Sequence, residues 1–113
     1  MKILIKSLSI IILVLVFIAC ADEPPGMRVM NERTEKANVQ IKTVNNTINH
    51  NVVLPGTATG YQEVSEVAIE VTAEIQNETV SPTKNFTSQN NNNYTIVIVN
   101  STPPTIRIDV IDK

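Results

Sequence analysis

Few residues in this 113-residue chain could do covalent or acid–base chemistry: one cysteine (Cys20), one histidine (His50) and a set of carboxylates at Glu63, Glu66, Glu70 and Glu74. A single Cys forms no internal disulfide, and one Cys with one His falls short of a zinc site and of most nucleophile–base pairs. His50 falls in the polar stretch Asn45 to Asn51, read as a turn, and is expected to be solvated. The glutamates could serve as acid and base or ligate calcium only if the backbone gathered them. On a strand, Glu66, Glu70 and Glu74 share a face at about 13 Å spacing, too far apart to hold one ion. No Asp-x-Asp-x-Asp-Gly loop accompanies them, so they are read as a soluble outer face, and no metal or cofactor is expected. Tyr61 and Tyr94 are the candidates for a ligand-stacking surface, provided that they are exposed. Nine Lys+Arg against eleven Asp+Glu leave no basic footprint, so nucleic acid is not an expected partner.

The position of Cys20 is more informative than its chemistry. Lys2 and Lys6 precede a run of ten apolar residues, Ile10 to Ala19, and the chain turns polar at once with Asp22, Glu23, Pro24 and Pro25. A positive start, a short apolar stretch and a small residue at its end are the parts of a secretory signal peptide. The stretch is short for a membrane-spanning helix, which needs about 20 apolar residues. The alternative for Cys20 is a buried thiol at the end of an uncleaved signal anchor.

The segment Val16-Phe17-Ile18-Ala19-Cys20 resembles the lipobox of bacterial lipoprotein signal peptides. Ala19 and Cys20 match that pattern, whereas Phe17 stands where Leu is usual and Ile18 is bulkier than the common Ala or Ser. The resemblance implies that the Cys20 sulfur is acylated and that residues 1–19 are removed as the signal peptide. It implies a bacterial cell envelope location, with Ala21 after the Cys favouring the outer membrane in a Gram-negative source. One acyl chain binds a membrane only marginally, but two or three, at about 0.8 kcal/mol per buried CH₂, hold a soluble domain firmly. Loss of Lys2 and Lys6 leaves seven bases against eleven acids, so attraction to anionic lipid is not what would bring the protein to a bilayer.

Residues 20–38 then read as a lipidated Cys and a flexible tether, from their prolines, glycine and mixed charge, with a short helix over Met27 to Ala37 as the alternative. Beyond Val39 the aliphatic residues are almost all β-branched, Leu occurs only at Leu54, and eleven threonines join them. Such side chains favour strands. Strands are expected at Val39 to Val44, about Asn51 to Thr59, Glu66 to Ile75, weakly at Thr79 to Thr87, and at Tyr94 to Val99 and Thr105 to Ile111. The third alternates cleanly, with Val67, Ile69, Val71, Ala73 and Ile75 on one side. A helix there would stack four glutamates at repelling intervals. Tyr94 to Val99 is apolar on both faces, which predicts a central strand. The asparagine run Gln89 to Asn93 and the segment Asn100 to Pro104 read as loops.

Six short strands with regular turns point to an all-β fold, a small β-sandwich or open barrel over residues 39–113. Pro55-Gly56-Thr57-Ala58, Val67-Ala68-Ile69-Glu70-Val71, Tyr94-Thr95-Ile96-Val97 and Thr105 to Asp112 look like the motifs of bacterial immunoglobulin-like domains. That family continues past the Asp into a last strand, whereas this sequence runs only to Lys113. Either Val39 to Val44 covers the exposed edge, or the domain lacks a last strand and an edge strand is open to a partner. Five Asn-x-Ser/Thr sequons, at Asn45, Asn77, Asn85, Asn93 and Asn100, would carry glycans only in a eukaryotic secretory pathway.

The reading that follows is a non-enzymatic envelope protein, held to the membrane through a covalent lipid on Cys20, whose immunoglobulin-like β-sandwich contacts another envelope protein or an external surface. The alternative is a ligand- or carbohydrate-binding surface module using Tyr61 and Tyr94. A third is a small hydrolase, which for sugars would need two carboxyl groups about 5.5 to 9.5 Å apart.

Overall fold

The computed structural model describes residues 21–113, and these fold as a small all-β sandwich of two four-stranded sheets. Its strands are β1 (Gly26–Asn31), β2 (Ala37–Lys42), β3 (Thr47–Val53), β4 (Gln62–Glu63), β5 (Ala68–Ile75), β6 (Thr83–Thr87), β7 (Asn92–Val99) and β8 (Thr105–Asp112). The first sheet runs β4-β1-β7-β8 and the second β3-β2-β5-β6. All neighbours are antiparallel except β1 and β7, which are parallel with Val29 beside Ile96.

Period-two alternation builds the second sheet. In β5, Ile69, Val71, Ala73 and Ile75 are buried while Ala68, Glu70 and Glu74 are exposed, as expected of a strand and not of the helix weighed against it. In β2, Ala37, Val39 and Ile41 are buried and alternate with exposed Asn38, Gln40 and Lys42. These side chains meet Val29, Ile96 and Ile98 of the first sheet in one continuous core. Burying each such Val or Ile side chain contributes about 1.5–3 kcal/mol, which lets the fold hold together with few aromatics.

The first sheet is centred on β7, where Ile96, Val97 and Ile98 are almost wholly buried. Ile96 and Ile98 belong to the core between the sheets, and Val97 is buried outside it, between Met30 and Arg107 in the register. This is the two-sided burial expected of a strand flanked by β1 and β8. The loop after it, residues 100–104, contains a cis Thr102–Pro103 peptide.

The sandwich begins earlier than the sequence suggested. Residues 26–38, expected as tether or short helix, instead supply β1 and the start of β2. Met27 and Val29 alternate with Arg28 and Met30, and full pairing along β7 buries the first two. The charges that looked solvated are accounted for by Arg28 bonding Thr95 and Arg33 lying buried among acceptors. Three smaller corrections follow from pairing. The second strand spans Thr47–Val53, so His50 lies on a strand opposite Val39 and not in a turn. Asn92 and Asn93, expected as loop, open β7. The expected strand Val39 to Val44 lies inside the second sheet, between β3 and β5, and covers no edge of the first.

Candidate functional site

Cys20, the expected lipidation site, lies outside the described residues. Its immediate neighbours do not. Asn91, at φ 69°, fastens the start of the domain: its side-chain oxygen accepts from the Glu23 backbone N–H at 2.9 Å, and its own N–H donates to the Glu23 carbonyl at 2.8 Å. Its amide nitrogen also donates to the Asp22 carboxylate at 3.1 Å. Pro25 is buried and its carbonyl accepts from Val64 N–H. Only Ala21 and Asp22 separate position 20 from the docked Glu23, a reach of about 10 Å at full extension.

The two tyrosines part company. Tyr94, in phase with Ile96 and Ile98, is 4% exposed, lies 5.2 Å from Phe86 between ring centroids, and accepts from Gln89 N–H through its hydroxyl. It therefore fails the condition set for a binding surface. Tyr61 is 44% exposed, but the Arg28 guanidinium sits 4.7 Å from its ring centroid, held by a bond from Arg28 Nε to Thr95 Oγ1. One ring face is thus already occupied by a cation–π contact.

The glutamates divide between the two sheets, and Glu66, expected on the strand with Glu70 and Glu74, lies outside it. Glu63 is on β4 in the first sheet, Glu70 and Glu74 are on β5 in the second, and Glu66 precedes β5 and accepts from Asn90 N–H. Among the described residues no group of three or more His, Cys, Asp or Glu is placed to hold a metal ion.

Two carboxylates do converge, at a place the sequence did not mark. Arg33, with its side chain 4% exposed, donates from one nitrogen, Nη2, to Glu35 at 3.1 Å and to Glu78 at 2.9 Å. Its Nη1 donates to the Val99 and Ser101 carbonyls. The wholly buried Asn31 completes this end, donating to the Glu35 and Val53 carbonyls and accepting from Arg33 N–H. The guanidinium fills the space between the acids where a hydrolase would need a scissile bond and water. The cluster ties four chain segments together at the end of the sandwich away from residue 23. Among the described residues one buried side-chain polar atom, Arg33 Nε, has no partner.

The remaining candidate is the rim of the first sheet. Of the four edge strands, β4 has two residues, β6 has five and follows Pro82, and β3 carries a register shift and a positive φ at Val52. Such features blunt an edge against pairing. β8 instead runs eight residues in unbroken register along β7 and has no neighbour on its other side among the described residues. It exposes Val110 (52%) and Ile111 (56%). Arg107 and Asp109 form a paired bond on it, at 2.9 and 3.2 Å, and Arg107 also reaches Glu32 at 3.3 Å. The Arg107 hydrogen bonds hold the Asp109 carboxyl below its usual pKa, with burial opposing them, and Asp109 in turn raises that of Arg107.

No known family model matches the chain, and no curated protein matches it significantly.

Proposed function

We propose that this chain is a lipid-anchored bacterial envelope protein whose β-sandwich acts by binding another protein. The observation that carries this reading is the meeting of two boundaries. The lipobox-like segment ends at Cys20, and the folded domain starts at Asp22–Glu23, fastened by Asn91. An acylated Cys20 would set the sandwich against the bilayer with almost no slack, and no transmembrane helix would be needed. The open β8 edge, where a partner strand could add to the sheet, supports the binding half of the reading. The immunoglobulin-like motifs agree with an interaction role. Ala21 after the Cys points to the outer membrane if the source is Gram-negative.

A carbohydrate module is the weaker reading, because Tyr94 is buried and Arg28 covers one face of Tyr61.

Metabolic labelling with a palmitate analogue, followed by membrane fractionation of wild type and Cys20→Ala, tests the anchor. Label and membrane association should both vanish in the variant. Label persisting in Cys20→Ala would overturn the reading.

A further inference from the structure

We infer that β8 is a self-pairing edge: two copies of the chain join their first sheets through antiparallel β8 strands about a two-fold axis at Ile108. This rests on the reading of the sandwich as an interaction module and names its partner.

The backbone sets the phase. Lys113 N–H donates to the Asn91 carbonyl at 2.9 Å, continuing the β7–β8 ladder past Asp112. In an antiparallel ladder, alternate residues turn both N–H and C=O to the same neighbour. Odd-numbered residues of β8 therefore face β7, and the groups of Ile106, Ile108, Val110 and Asp112 point outward. Any strand that adds must bond to these.

Charge then selects the register. Axes that keep the outward groups bonded and preserve the longest overlap along Thr105–Asp112 pass through 108 or 109. The axis at Asp109 sets two aspartates opposite each other. Like charges directly opposed are destabilising. The axis at Ile108 instead places Arg107 against the second copy's Asp109, and the reverse, in the non-hydrogen-bonded positions where side chains lie closest. The same register puts exposed Val110 beside the other copy's Ile106 and joins two four-stranded sheets into one. The two-fold axis makes one patch serve both sides. Charged residues on an edge can also serve simply to repel added strands. Here the arrangement of the two signs is self-complementary.

The test uses the full-length chain, expressed as two differently tagged copies, extracted from membranes and assayed for co-purification. Wild-type copies should co-purify. Arg107→Asp and Asp109→Arg should each lose self-association about tenfold or more, because each opposes four like charges. Arg107→Asp mixed with Asp109→Arg should restore it, since acidic and basic strands then face each other. That rescue also shows that both variants fold. Wild-type copies that fail to co-purify, single variants that associate as well as wild type, or a mixture no better than either variant alone would each overturn the inference. Palmitate labelling of every variant reports on the anchor separately. A photocrosslinker in β8 that captures only another polypeptide would sink self-pairing while leaving β8 as the binding edge; capture of nothing would sink both.

Discussion

Two arginines in this molecule each meet two carboxylates, and they do so in opposite surroundings. Arg33 is buried between Glu35 and Glu78 and spends its other donors on the Val99 and Ser101 carbonyls. Arg107 meets Asp109 and Glu32 with half of its side chain in water. A charge removed from water must be matched by partners, and taking one partner away strands the rest. An exposed pair contributes little to stability because water and salt screen it. The buried arginine therefore holds the far loops of the sandwich together, whereas the exposed one is free to change partners. The same chemistry supports architecture in one place and, in the proposed self-pairing, recognition in the other.

The widest separation between the two should come from removing the buried charge. Arg33→Met leaves two acids and two carbonyls without their donor and should cost about 3 kcal/mol or more, lowering the melting temperature by about 15 °C in a domain of this size. Asn31→Ala removes a donor to one buried and one part-buried carbonyl and should fall in the range of about 2–4 kcal/mol, read by urea denaturation. If either variant melted like wild type, the cluster would not be a structural tie. Arg107→Gln, by contrast, should leave the melting temperature unchanged while weakening co-purification of two copies. A large fall in stability there would erase the distinction between the two arginines.

The smallest effect concerns acidity. Asp109 is held below its usual pKa in the folded chain by Arg107, with Glu32 as the other charge facing that arginine. A depressed carboxyl contributes above its unfolded pKa, and the contribution is lost as pH falls through the lowered value. Self-association followed by co-purification should therefore be flat from neutral pH down to the ordinary aspartate range, about 3.9, and weaken only below it. A decline already at pH 6 would point to a different group.

How much of this was legible in the sequence depends on where each strand sits. β5 and β7 were readable because one face or two faces of a strand bury β-branched side chains, and that burial imposes alternation or a continuous apolar run. β1 was not. It offers only Met27 and Val29 before the pattern is broken by Asn31, a polar residue wholly buried because its amide replaces missing backbone partners. Arg33 was hidden for the same reason: a charge counts as solvated until tertiary contacts supply acceptors for it. Tyr94 could have been placed inside from its parity with Ile96 and Ile98. The exposure of Tyr61, and Arg28 lying over it, depend on a loop meeting a strand 33 positions away.

The fastening of residues 22 and 23 by Asn91 has a geometric result for the paired form. β1 leaves that end and β8 returns to it, so the proposed acyl attachment at Cys20 would lie at one pole of each sandwich. Strands that join head to tail put the second copy's attachment at the opposite pole, about 27 Å away along eight residues of β8. With only about 10 Å of slack at either end, such a pair would stand as a strut between two facing lipid surfaces, its length setting the gap; to share one leaflet, it would have to lie on its side.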